Sequence, residues 1–243
     1  MISQNLAAWT ERVLDRGKLG APTEENWRIE AYEQYKAKLS VADYPCFFGQ
    51  TAEVRGEMLY TFISMGELGE MVENVQLFVR LIDTPEYKRA SLAAFFEPDR
   101  SIRDHASFVA RFWQILQYLH EHDREPATTR TPDDPLWEFA FERHEMFVVG
   151  ASPTYRIRRS RNLGPGMVLI FQPRTLFIDP ATSQPIPASV RQRVHKRMLA
   201  YDGIPVHPDI GFYGESINRE WKQYALPDDN EAQRGTCPFH TRP

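Results

Sequence analysis

The side chains with the widest chemical reach here are seven histidines, two cysteines and a run of arginines. The histidines are His105, His120, His122, His144, His195, His207 and His240. None belongs to an HExxH pair, and there is no paired CxxC, Walker loop, GxGxxG turn or GxSxG elbow. A single histidine is more often structural than ligating. Two rise above that background. His120 follows Phe112 and Leu116 at helical spacing, at the edge of an apolar face. Such an imidazole suits axial ligation of a haem iron, and it equally suits the negative end of the helix dipole. His207 lies between Pro205 and Pro208, where the backbone is stiff. Cys46 and Cys237 sit beside proline and phenylalanine and read as buried free thiols. Arg156, Arg158, Arg159 and Arg161 share a Gly/Pro-containing loop, and Arg174 follows the next strand. Such a cluster can clamp a carboxylate or phosphate. Asp123, Glu138, Glu142 and Glu220 are the carboxylates that could hold a cationic substrate.

The elements that must position these groups are legible from periodicity. Leu6, Trp9, Val13 and Leu14 predict a first helix. Thr23 is placed to cap a second, carrying Trp27, Ala31, Tyr35 and Leu39. Pro45 predicts a loop or strand start at 44–49. Strands are expected at 58–65 and 91–98, with a helix over 67–82 between them. A helix opened by the pair Ser101 and Asp104 runs to His122. A hairpin is expected at 136–142 and 145–151, though Arg143-His144 lacks the usual turn chemistry. A strand at 167–178 bends at Pro173. Ser189 and Gln192 form a capping-box pattern for a helix to Leu199.

These elements predict one α+β domain over 1–243, with a mostly antiparallel sheet flanked by helices and residues 1–40 packed on it as a helical extension. The chain has 29 basic and 33 acidic residues, so composition gives no support for nucleic-acid binding. No apolar run approaches the length of a membrane span. With no leader of signal-peptide type, a cytoplasmic location is expected.

Several segments occur in an order that carries more information than any one of them. They are YPCFFG (44–49), FWQILQYLHEHD (112–123), LWEFAFERHEMFVV (136–149), RRSR (158–161), IFQPRTLF (170–177), YDGIPVHPDIGFYGESINREWKQYALPDDN (201–230) and CPF (237–239). Together they resemble the YqcI/YcgG family. The resemblance implies a haem-dependent N-oxygenase that hydroxylates a guanidine or amine nitrogen of a small amino-acid-like substrate with O2. It implies haem b, an external electron donor and a redox partner to deliver the electrons. On that reading His120 and His207 are the candidate iron ligands. Arg158, Arg161 and Arg174 would pair with propionates or a substrate carboxylate. Asp123 and Glu220 would orient the cationic nitrogen. The chain departs from the family pattern at Tyr155, where many relatives have histidine, which makes Tyr155 a further candidate at the cofactor. A haem-binding sensor or carrier without turnover, and a cofactor-free small-molecule binder, are the alternatives.

Overall fold

The computed structural model describes residues 10–14, 26–126, 130–178 and 187–241. In chain order these form α1 (Trp27–Leu39), α2 (Phe47–Arg55), β1 (Met58–Ile63), α3 (Leu68–Ile82), β2 (Ser91–Phe96), α4 (His105–Glu121), β3 (Phe139–Phe141), β4 (His144–Ala151), β5 (Val168–Pro173), α5 (Ala188–Asp202) and α6 (Trp221–Tyr224). The five strands make one sheet in the order β1-β2-β5-β4-β3. Only β1 and β2 are parallel, joined by α3 as the crossover that parallel neighbours require. The other three pairings are antiparallel, so the α+β architecture with a mostly antiparallel sheet is as expected.

The two sheet faces differ in a way that creates the site. On one face Leu92, Ala94, Met146, Val148, Leu169 and Phe171 are buried under α3 and α4, forming the larger core. The apolar stripes of those helices, including Met71, Val75, Phe78, Phe108, Phe112 and Leu116, account for that packing. On the other face Tyr60, Phe62, Ala93, Phe95 and Val168 pack under Tyr32, Tyr35 and Leu39 of α1. Beyond α1 this second face is incompletely covered. Phe147 and Val149 of β4, and their cross-strand partners Gln172 and Ile170 of β5, are only half-buried, whereas their sequence neighbours Val148 and Phe171 are fully buried. The alternation follows from the two-residue period of a strand.

Several local expectations change. α1 is capped by Asn26, whose side chain accepts from Arg28 N–H. Thr23, the expected cap, lies outside the described residues, as does most of the expected first helix. Within that stretch Val13 instead forms a parallel bridge with Tyr60. Residues 47–55 are helical, not loop or strand. Pro45 is barred from the helix interior but not from a position just before its start. Cys46 is the N-cap, its sulfur accepting from Gly49 N–H at 3.3 Å. In α4 the capping pair is Asp104 with Ser107, each side chain accepting from the other's backbone N–H. The β3–β4 hairpin forms without glycine, with Glu142 at φ 43° and Arg143 at φ 67°. The strand at 167–178 ends at Pro173 and continues as a 3₁₀ turn, Arg174–Phe177. α5 has Pro187 at its N-cap position with no side-chain cap, so the expected Ser189 capping box is not formed.

Candidate functional site

The uncovered strip of β4 and β5 is the floor of a cavity of about 310 Å3. That lies at the low end of the roughly 300–1,000 Å3 usual for small-molecule pockets. Its roof is α5, which presents Arg191, Val194, His195 and Met198 to it, a spacing of three and four residues along one helical face. Its walls are Tyr35, Tyr44, Cys46 and Phe48 on one side and Phe177 with the segment 210–213 on another.

α5 is unusual for a covering helix. From Ser189 to Tyr201 no residue is fully buried. It is held at its C-terminal half by polar contacts. Arg197 donates to the carbonyls of Ala42 and Tyr44, at 2.8 and 3.1 Å. Asp202 accepts from the N–H and hydroxyl of Ser160. The cavity-facing residues therefore span a space without filling it. His195 stacks nearly parallel to Phe212, with ring centroids 6.0 Å apart and planes at 8°. Burial and the Arg191 charge lower its pKa, which favours the neutral imidazole. Arg191 lies over the opposing Phe212 ring at 3.5 Å.

The polar end of the cavity is built around Arg174 and Glu220. Arg174 Nε donates to Glu138 Oε2 at 2.6 Å, and its Nη2 also pairs with Glu138 Oε1. The same Nη2 lies 3.8 Å from Glu220 Oε1. The guanidinium sits over Tyr213 at 4.0 Å and over Phe177 at 5.2 Å, which fixes its plane. The 3₁₀ turn after Pro173 aims Arg174 here. Two carboxylates thus share one guanidinium, and Glu138 holds most of it. Glu220 is 3% exposed and accepts from Asn218 Nδ2 at 3.1 Å. Burial raises its pKa to about 7, against the opposing pull of Arg174 and Asn218. With a pKa of about 7 it is only partly ionised at neutral pH, and its carboxylate form has an unmet demand for positive charge at the edge of the cavity. Gly211 is required for this geometry, because a Cβ there would lie 2.5 Å from Asn218 Oδ1.

At the other end the Tyr35 hydroxyl is buried and has no hydrogen-bond partner among the described residues. The Cys46 thiol is pushed up in pKa by burial, and Gly49 N–H only partly offsets this. Arg161 lines the same region and donates to the carbonyls of Gly150, Gln223 and Tyr224.

Of the site residues expected from sequence, Glu220, Arg161 and Arg174 meet at this cavity, and the others lie elsewhere. His120 is at the end of α4, its ring 4.9 Å from that of Phe239. His207 Nδ1 accepts from Asp209 N–H at 3.1 Å, inside the C-terminal segment. Asp123 accepts from the N–H groups of Glu125 and Glu142, fixing the loop beside the hairpin turn. Tyr155 donates its hydroxyl to the Leu226 carbonyl at 2.7 Å. Arg158 donates to the carbonyls of Pro227 and Asp229 and to Asn230 Oδ1. Asp228 in return accepts from the backbone N–H groups of Arg156, Ile157 and Arg158. The arginine loop and the segment 226–230 therefore lock each other. Tyr155 and Arg158 hold the chain together away from the cavity lining.

Sequence reasoning passed over His195, Arg191, Gln172 and Tyr35. The signal for the first two was present in the 191/194/195/198 spacing, but a helix so rich in arginine reads as solvated. Among the described residues no group of three or more His, Cys, Asp or Glu side chains could hold a bare metal ion. No described helix is long and apolar enough to cross a membrane.

A family model for the YqcI/YcgG family matches residues 35–240, and the chain belongs to that family. It is 32% identical over 246 residues to the uncharacterized protein YcgG of Bacillus subtilis (strain 168), covering 95% of this chain and 94% of that protein. It is 31% identical over 224 residues to the uncharacterized protein YqcI of the same organism, covering 88% and 87%. It is 28% identical over 226 residues to a Streptomyces lavendulae protein provisionally named N(omega)-hydroxy-L-arginine synthase DcsA, covering 89% and 85%. No solved structure matches.

Proposed function

We propose that this member of the YqcI/YcgG family is a haem-dependent N-oxygenase that hydroxylates a guanidine or amine nitrogen of a small amino-acid-like substrate with O2. The observation that carries the reading is Glu220, a buried carboxylate facing an apolar cavity with its balancing arginine already engaged by Glu138. A cationic nitrogen is the group that completes such an arrangement. The name of the DcsA relative points the same way, since arginine carries a guanidinium.

The residues fit a haem. The floor of Val149 and Ile170 is apolar, an imidazole faces it from α5, and Arg191, lying over Phe212, lines the cavity as a cation for a carboxylate group. Bound haem supplies O2 binding and activation, with electrons from an external donor. The chain supplies the rest. Glu220 holds the substrate cation and fixes which nitrogen faces the reacting centre. With a pKa near 7 it also accepts the proton that this nitrogen loses. Asn218 and Arg174 keep its carboxylate in place. Phe147, Val149 and Ile170 exclude water from the nitrogen.

The test is to load the chain with haem, supply a chemical reductant and 18O2, and analyse a panel of guanidines and amines, arginine included, by mass spectrometry. The reading predicts a product heavier by one oxygen-18 atom. Haem binding without O2 consumption across the panel overturns the oxygenase in favour of a sensor or carrier. Failure to bind haem at all leaves a cofactor-free binder.

A further inference from the structure

We infer that His195, rather than His120 or His207, is the axial ligand this chain offers to a haem iron in the cavity beneath α5. The inference rests on the haem reading above and deepens it by naming the side chain that holds the iron.

Four observations converge. His195 is the one histidine among the residues lining the cavity. It stands on the cavity-facing stripe of α5, between Arg191 and Met198, opposite the apolar strip of Val149 and Ile170. A histidine is a common protein ligand of haem iron, and an apolar surface opposite it would take the face of a macrocycle. Its ring plane is already set by the stack on Phe212. Among the described residues no hydrogen bond uses either ring nitrogen, so ligation displaces nothing. No residue of α5 from Ser189 to Met198 is fully buried, and a haem in the cavity would pack against Val194 and Met198.

The other histidine candidates lie outside the cavity, and burial pushes the pKa of the lining Tyr35 hydroxyl up, away from the tyrosinate that would ligate iron. His120 packs on Phe239 and His207 accepts from Asp209, both outside the cavity lining. The Cys46 sulfur serves as the N-cap of α2. Ligation by Cys46 would need its thiolate, whereas the neutral imidazole of His195 donates its lone pair without losing a proton.

The experiment titrates haemin into the full-length wild type, His195→Ala, His120→Gln and His207→Gln, and records visible spectra as ferric, dithionite-reduced and CO-bound forms. The wild type is expected to bind one haem with the CO spectrum of an imidazole ligand. His120→Gln and His207→Gln should match it in affinity and band position. His195→Ala should lose at least tenfold in affinity or shift its Soret band, and added imidazole should restore the wild-type spectrum. A His195→Ala protein with unchanged affinity and spectrum overturns the assignment while the haem reading stands. A thiolate-type CO spectrum in the wild type also overturns it, in favour of Cys46. No Soret change with the wild type defeats the haem reading and the assignment with it.

Discussion

Glu220 shows how one buried residue can connect stability, pH and function. Its raised pKa means that the protonated form is the better accommodated one. Its contribution to stability is therefore complete below the ordinary carboxyl value of 4.5 and is lost as pH rises through about 7. Above pH 7 the full cost is on the order of 3 kcal/mol. Glu220→Gln should flatten this slope and leave the chain more stable at pH 8, read by urea denaturation at pH 5 and pH 8. The same ionisation governs binding with the opposite sign. Affinity for a cationic substrate should fall about tenfold per pH unit below 7 and level off above it. Glu220→Gln should abolish this dependence and weaken binding at pH 8 by at least tenfold, measured by calorimetric or spectral titration. Gly211→Ala acts on the same carboxylate at one remove, because its Cβ displaces Asn218. It should raise KM without moving the haem spectrum. Tyr155→Phe separates structure from chemistry. It removes one buried hydrogen bond to Leu226, at a cost of about 1–2 kcal/mol, and leaves haem affinity unchanged. A change in the ligand field of that variant would return Tyr155 to the cofactor.

At the scale of elements, the strongest periodic signals held. α3 and α4 carry wide apolar stripes, and β1 and β2 are apolar runs buried along their whole length. What the sequence hid has physical causes. α2 begins two residues after Pro45, where a proline looks like a stop and acts as an entry. The cavity roof is an arginine-rich helix with Arg191 on its inner face, and periodicity cannot distinguish a cation that faces a cavity from cations that face water. Arg158 and Tyr155 were expected at a cofactor, but both lie outside the cavity lining. Their partners are backbone carbonyls some seventy residues away, which no local pattern announces. Glu220 was identifiable only as one of several carboxylates, since nothing short of the fold brings Arg174 and Asn218 to it. The hairpin makes a further prediction. Glu142 and Arg143 both sit at positive φ, where Asn-Gly is preferred. Replacing the pair by Asn-Gly should stabilise the chain by about 0.5–1 kcal/mol, read as a higher denaturation midpoint with an unchanged m value.

Across the whole molecule, one sheet serves two purposes. Its first face is sealed by α3 and α4, so β4 and β5 are rigid where they carry the site. Gly150 lets α4 approach that closely, since a Cβ there would lie 2.9 Å from the Phe112 ring. Its second face is sealed by α1 and left open beneath α5. The C-terminal segment crosses the open side, bringing Phe212, Tyr213 and Glu220 to the cavity, and is tied down through Arg158, Arg161 and Asp228. The family's ordered motifs thus divide between tying this strap and furnishing the pocket. A ligand in the pocket should consolidate α5, so haem should slow proteolytic cutting within 187–202. On the proposed function this pocket is a haem site beside a cation-binding carboxylate. The most direct measurement is a visible absorption titration with L-arginine or agmatine on haem-loaded wild type and Glu220→Gln at pH 8. A saturable shift of the Soret band by at least one guanidine in the wild type, weakened at least tenfold in Glu220→Gln, is the predicted result. A chain that binds no haem, or one whose guanidine response is the same in both proteins, contradicts the account.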